Sequence, residues 1–284
     1  MAYQWFPGHM TKAFRMMQED IKLIDLVIEL VDARIPYSSR NPDIDKLGMG
    51  KARMIILNKA DLADENINKV WYRYFEDKGM STVLLDSRKK NGLARVNSAI
   101  QDACAAKTER DLKRGIKNRP VRAMVVGIPN VGKSTFINSL AGKASAKTGN
   151  KPGVTKGKQW IRLNKNVELL DTPGVLWPKF EDQEIGMRLA FIGSINDEIV
   201  NRDELACELI EYLSGRDRGY SGLISKRYGI DEMLSPHETL ASIAVERKCM
   251  AKGGEPDISR AAGLLLDDFR SGRLGRISLE SPQW

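Results

Sequence analysis

The stretch RAMVVGIPNVGKSTFINSL, residues 122–140, limits the possible folds of this chain more than any other. It carries G-x-x-x-x-G-K-S over residues 127–134, between a short apolar run and an amphipathic one. That context predicts a strand, a glycine-rich turn and a helix. The glycines let backbone N–H groups wrap a phosphate, and the helix N-terminus favours the anion. In such a loop Lys133 reaches the β- and γ-phosphates and the Ser134 hydroxyl ligates Mg²⁺. Asn130, Val131, Gly132 and Thr135 complete the cradle.

The rest of the chain supplies the partners of that loop. Short apolar runs predict strands over 25–32, 53–58, 82–86, 122–127, 159–163 and 167–171. Helical periodicity covers 12–24, 65–78, 93–110 and 133–140. Strands alternating with helices in this way read as a parallel α/β sheet. Asp171-Thr-Pro-Gly174 ends the 167–171 strand, 37 residues after Ser134. At that distance Asp171 serves Mg²⁺ through a water and the Gly174 N–H serves the γ-phosphate. Between the two, Thr155 offers a hydroxyl to the metal and the γ-phosphate. Segments held by such contacts are released on hydrolysis.

Asn58-Lys59-Ala60-Asp61 follows the 53–58 strand. A carboxylate there accepts from both N1–H and the 2-amino group of guanine, a pair adenine lacks. Lys59 lies along the ring and Asn58 braces the loop. Asp86-Ser87-Arg88 is the candidate for a further guanine loop, with the Ser87 backbone meeting O6. The order of these motifs is unusual. Ras-like GTPases place the phosphate loop first and N-K-x-D last, whereas here N-K-x-D comes some 70 residues before the phosphate loop. Joining the old chain ends and cutting elsewhere preserves a parallel sheet when those ends lie close. The fold class expected is therefore α/β, a circularly permuted Ras-like P-loop GTPase domain over 1–180, with a basic linker at 114–120 joining the old ends. Residues 181–284 read as a C-terminal all-helical domain. Within it, ELACELIEYL at 204–213 is amphipathic, Ser235, Pro236 and Glu238 form a capping box, and a last helix covers about 258–271.

Charge divides along the same line. The net charge is +8, with 32 Lys/Arg against 18 Asp/Glu in residues 1–180 and 13 against 19 in residues 181–284. Residues 143–165 hold seven basic side chains and no acid, which points to a polyanion such as nucleic acid, the alternative being a solvated face. Arg270, Arg273 and Arg276 are either further RNA contacts or a solvated helix end. Cys104, Cys207 and Cys249 are too dispersed for a disulfide framework or a zinc cluster. No apolar run spans a bilayer and no leader pattern precedes the first strand, so the expected compartment is cytoplasmic.

The permuted motifs, together with WFPGHM, ELVDARIPYSSRNP, GIPNVGKS, PGVTKGKQW and LLDTPGVLWPKFED, closely resemble the YlqF/RbgA family of ribosome-assembly GTPases. The likeness runs from Tyr3 to Phe180 and more loosely to the terminal RLGRIS. It implies GTP hydrolysis to GDP and phosphate in late assembly of the large (50S) ribosomal subunit, stimulated by that subunit. The implied partners are the large subunit and its rRNA, with the helical domain of residues 181–284 likened to RNA-binding modules; no membrane or DNA partner and a monomeric state are further expectations. Ras-type enzymes orient the attacking water with a glutamine just after D-x-x-G. Val175 and Leu176 stand there instead. The resemblance gives the task to His9 of FPGHM, held by Trp5, Phe6 and the Pro7-Gly8 turn. Read without the resemblance, His9 is a turn or core histidine, and His237 is structural. Asn130 is either a loop spacer or a K⁺ ligand. Arg34 is either an arginine finger or the ion-pair partner of Asp32. Two other readings stay open: a GTP-dependent RNA-binding module with negligible hydrolysis, and a GTPase partnered with tRNA.

Overall fold

Leu26–Asp32 forms β1, and all seven of its residues are buried. A near-continuous apolar run of this kind belongs inside a parallel sheet covered on both faces. The computed structural model describes residues 6–117, 119–142, 159–180, 182–215, 219–231 and 234–282. Its other strands are β2 (Ala52–Asn58), β3 (Ser81–Leu85), β4 (Val121–Gly127), β5 (Gln159–Arg162) and β6 (Val167–Asp171). Their order across the sheet is β3-β2-β1-β4-β6-β5, parallel except for the β5–β6 pair. Renumbered from β4, the strand of the phosphate loop, the same sheet reads 2-3-1-4-5-6 from its antiparallel edge. That is the order of an unpermuted Ras-like sheet, so the circular permutation is present in the strand arrangement itself.

Helices α1 (Gly8–Asp20), α2 (Pro42–Leu47), α3 (Glu65–Asp77), α4 (Leu93–Ala103), α5 (Ala105–Lys113) and α6 (Lys133–Ala141) accompany the strands. Local chemistry sets their ends. The Asp64 carboxylate accepts from the Asn66 and Ile67 amides at the start of α3. Trp71 and Phe75 of α3 are buried against Ile55 and Leu57 of β2. The single helix expected over 93–110 breaks at buried Cys104, whose ψ of 5° leaves the helical range. Beyond it α5 buries no residue, and Lys107 pairs with Asp25 at 3.3 Å and Asp111 at 3.1 Å. Helix α2 escaped the periodicity reading because six residues hold too few repeats, although Asn41-Pro42 is a start signal.

Among the described residues the chain divides into a unit of residues 6–180 with 278–282 and a helical unit of residues 182–277. The helical unit holds α7 (Gln183–Phe191), α8 (Arg202–Ser214), α9 (Leu223–Tyr228), α10 (Pro236–Glu246) and α11 (Ile258–Arg270). The capping box of Ser235 and Glu238 is formed, with His237 exposed beside it. Arg270 is not a surface contact. It donates to the carbonyls of Ala190 and Phe191 at 2.9 Å and forks onto Asp197, closing the end of α7. Arg273 pairs with buried Asp268 at 2.5 Å.

The expected boundary at 180/181 needs one correction, because the tail returns to the sheet. The Leu279 amide donates to the Arg34 carbonyl at 2.8 Å, and the Asp64 amide donates to Ser278 Oγ at 3.1 Å. The buried Glu280 carboxylate accepts from the amides of Tyr37 and Ser38 and from Ser38 Oγ. Trp71 Nε1 donates to the Glu280 carbonyl. Replacing Glu280 with alanine orphans buried donors, at a cost of about 2–3 kcal/mol. The thermal midpoint of the sheet unit should then fall by roughly 5–10 °C. An unchanged melting curve would mean that the tail adds nothing to the fold.

Candidate functional site

Parallel strands put their C-terminal ends on one edge, so the loops after β1, β2, β4 and β6 converge there, joined by the loop after β3. The phosphate loop leaves β4 and enters α6 at Gly132, whose φ is 101°. A Cβ at Gly132 would lie 2.5 Å from Asn58 Nδ2, so only glycine lets the two loops meet. Gly174 packs as closely on the other side, where an added Cβ would stand 2.7 Å from Pro129 Cα. The backbone joins them too, the Val175 amide donating to the Gly127 carbonyl at 3.3 Å.

Asn58 is the fastener of the base end. Its Nδ2 donates to the Val131 carbonyl at 2.8 Å, while its Oδ1 accepts from the Ser87 amide at 3.1 Å and Ser87 Oγ at 2.7 Å. The Ser87 amide is therefore turned to Asn58. This corrects the expectation that it meets guanine O6, and makes Ser87 a brace. Lys59, with φ 57°, sends Nζ to the Asn130 carbonyl at 2.8 Å and to Asp32 Oδ2 at 3.0 Å. Asp61 Oδ1 is buried without a hydrogen-bond partner, and its Oδ2 meets Arg88. Sequence reading passed over Asp32 as a positioning group, although a carboxylate at the end of β1 was a signal. Burial pushes the Asp32 carboxyl up, but the charges of Arg34 and Lys59 overcome this and hold it well below the usual carboxylate range. Arg34 is buried and forks onto Asp32 at 2.8 and 2.9 Å, which makes it a local ion-pair partner rather than a finger.

At the phosphate end, Lys133 is buried and donates to the carbonyls of Gly127 at 3.0 Å and Ile128 at 2.9 Å. Burial lowers its pKa to about 8 against the pull of Asp171. Burial raises the Asp171 carboxyl to about 6, opposed by Lys133. Asp171 Oδ1 is buried and unpartnered. Ser134 and Thr135 occupy the first turn of α6. Val175 and Leu176 are buried apolar side chains and hold no water. Thr155, Trp5 and Lys143, Lys147, Lys151, Lys156 and Lys158 of the basic run lie outside the described residues.

A family described as "50S ribosome-binding GTPase" matches residues 122–218. "Ribosome biogenesis GTPase A" of Bacillus cereus is 44% identical over 284 residues, covering 100% of this chain and 95% of that protein. The chain belongs to the ribosome biogenesis GTPase A (YlqF) family. Two solved YlqF structures are similar throughout. A GDP-bound one has TM-score 0.68 and 27% identity, covering 95% of this chain and 100% of that one. A GNP-bound YlqF from Thermotoga maritima has TM-score 0.66 and 28% identity, covering 96% and 99%.

As a member of this GTPase family the chain is a GTP hydrolase, and its opening segment takes on meaning. His9 does not precede the first helix but stands exposed in the first turn of α1, with Pro7 at the cap. The described anchor is Met10. It is fully buried, and its Sδ accepts from the Leu176 amide at 3.4 Å. Sequence reading assigned that anchoring to the aromatics. The alternation of exposed His9 and buried Met10 becomes visible only with the helix start known.

Proposed function

We propose that this GTPase acts in late assembly of the large ribosomal subunit, binding the maturing subunit with GTP and leaving after subunit-stimulated hydrolysis to GDP and phosphate. The observation that carries the nucleotide part is a pair of buried, unpartnered oxygens, Asp61 Oδ1 and Asp171 Oδ1, on loops tied to the two ends of one phosphate loop. The ribosomal part is supported by the names of the relatives and by the basic residues of the 143–165 segment. Asp61 reads the base, Lys59 flanks it and Asn58 fastens the loops. Lys133, Gly132, Gly174 and the α6 N-terminus take the phosphates, helped by Val131, Ser134 and Thr135. The orphaned Asp171 oxygen and the Ser134 hydroxyl suit a hard divalent cation. Ser134 and Thr155 would hold Mg²⁺ directly and Asp171 through water, and the ion would neutralise charge on the phosphates. His9 orients the attacking water, since Val175 and Leu176 do not. The Asn130 backbone carbonyl accepts from Lys59, and no step is assigned to K⁺.

The decisive experiment compares GTP turnover by the protein alone, with small subunits and with large subunits. A rise with large subunits only supports the reading, whereas a response to free tRNA or to neither subunit removes the partner assignment. Exchanging K⁺ for Na⁺ in the same assay reads the monovalent ion. The shifted pair also predicts a pH signature. Phosphates favour the charged form of Lys133, so binding above about pH 8 takes up a proton and affinity falls as pH rises. Asp171 must be ionised to serve the cation, so affinity for nucleotide with Mg²⁺ rises through about pH 6. Calorimetry in buffers of different ionisation heat should report proton release at the acid side and uptake at the alkaline side.

A further inference from the structure

The loops after β2 and β3 emerge side by side because Asn58 pairs with Leu85 in parallel register. They are stitched at the base by the Ala60 amide on the Leu85 carbonyl, 3.1 Å, and by Asn58 on Ser87. Arg88 crosses between their tips. Its Nε donates to Asp86 Oδ1 at 3.0 Å, and its amide donates to the same oxygen at 3.1 Å. With that edge fixed, Nη2 is delivered to Asp61 Oδ2 at 2.5 Å. The other oxygen, Asp61 Oδ1, is buried and has no partner.

A carboxylate on a short side chain turns broadly about its last torsion. Reading guanine requires a defined plane, with its two oxygens facing N1–H and the 2-amino group together. We propose that Arg88 is a positioning residue that fixes the plane of the Asp61 carboxylate, and so sets how strictly the pocket prefers guanine to purines lacking the 2-amino group. The unpartnered Oδ1 meets one donor of the base. Oδ2 keeps a lone pair for the other while accepting from Arg88. The guanidinium suits this task because it is a planar fork, held on Asp86 and extended to Asp61. Arg88 is 62% exposed, so its attraction to Asp61 contributes little by itself and acts through orientation.

The inference rests on the reading of Asp61 as the residue that recognises the base. It is tested by the dissociation constants of GDP, of IDP, which lacks the 2-amino group, and of ADP for the full chain. Arg88→Ala should weaken GDP about fivefold and IDP less, narrowing the GDP-over-IDP preference by roughly threefold. Arg88→Lys keeps the charge without the fork and should restore only part of the preference. The preference is a ratio, so a loss of folded protein does not move it. If Arg88→Ala leaves the ratio unchanged, or binds GDP more tightly, Arg88 is not a positioning residue. Asp61→Ala separates the two failures. If it abolishes the preference while Arg88→Ala does not, only the role of Arg88 falls. If it too leaves the preference intact, the base-reading assignment falls with it.

Discussion

Lys133→Ala is expected to lower kcat/KM for GTP by at least about 10²–10³-fold and to weaken GDP as well. The ammonium lies at 2.9–3.0 Å from two carbonyls of its own loop, buried, with Asp171 as the coulombic partner. The cation is thus already in place at the edge of the cradle, and arriving phosphates meet a fixed charge rather than a mobile side chain. Its removal leaves the Gly127 and Ile128 carbonyls pointing at the same space as the phosphates, with no positive charge between them. The loop also depends on Asn58 and Gly174, so its shape should persist in the variant. Titration with fluorescent GDP and single-turnover hydrolysis read the two effects separately. Activity within threefold of the parent would mean that phosphate binds elsewhere.

His9→Ala should leave GDP affinity unchanged and lower subunit-stimulated turnover by about 10²–10⁴-fold, the range for loss of a positioned acid–base group. The argument rests on what surrounds the reacting phosphate. The segment after Gly174 offers only buried Val175 and Leu176, while Met10 fastens the start of α1 to Leu176 and leaves its neighbour His9 exposed. His9→Gln, able to orient a water but not to take a proton at neutral pH, should recover part of the rate. Equal stimulated turnover in parent and His9→Ala would move the catalytic group elsewhere.

Much of the candidate site was legible because its proposed chemistry is local. The phosphate loop needs glycines at fixed offsets and a lysine at a helix start, and N-K-x-D needs a strand before it. Neighbouring residues supply both, and the runs at 53–58 and 167–171 matched β2 and β6 to within a residue at each end. The broken helix at Cys104 and the short α2 were lost for the opposite reason. A single buried residue or a lone Asn-Pro start leaves almost no periodic trace.

Sequence by itself determined the motifs and their permuted order, whereas the place of each strand in the sheet came from the structure. Tertiary structure alone decided which polar groups face one another. Ser87 looked like a base contact, and its amide proved to serve Asn58. Arg270 looked like a surface cation and closes α7. Glu280, near the chain's end, satisfies amides some 240 residues away. A motif encodes donors and acceptors, but a buried donor takes whichever acceptor the packing brings within about 3 Å. In a sheet joined out of sequence order, that acceptor is set by strand register and not by distance along the chain.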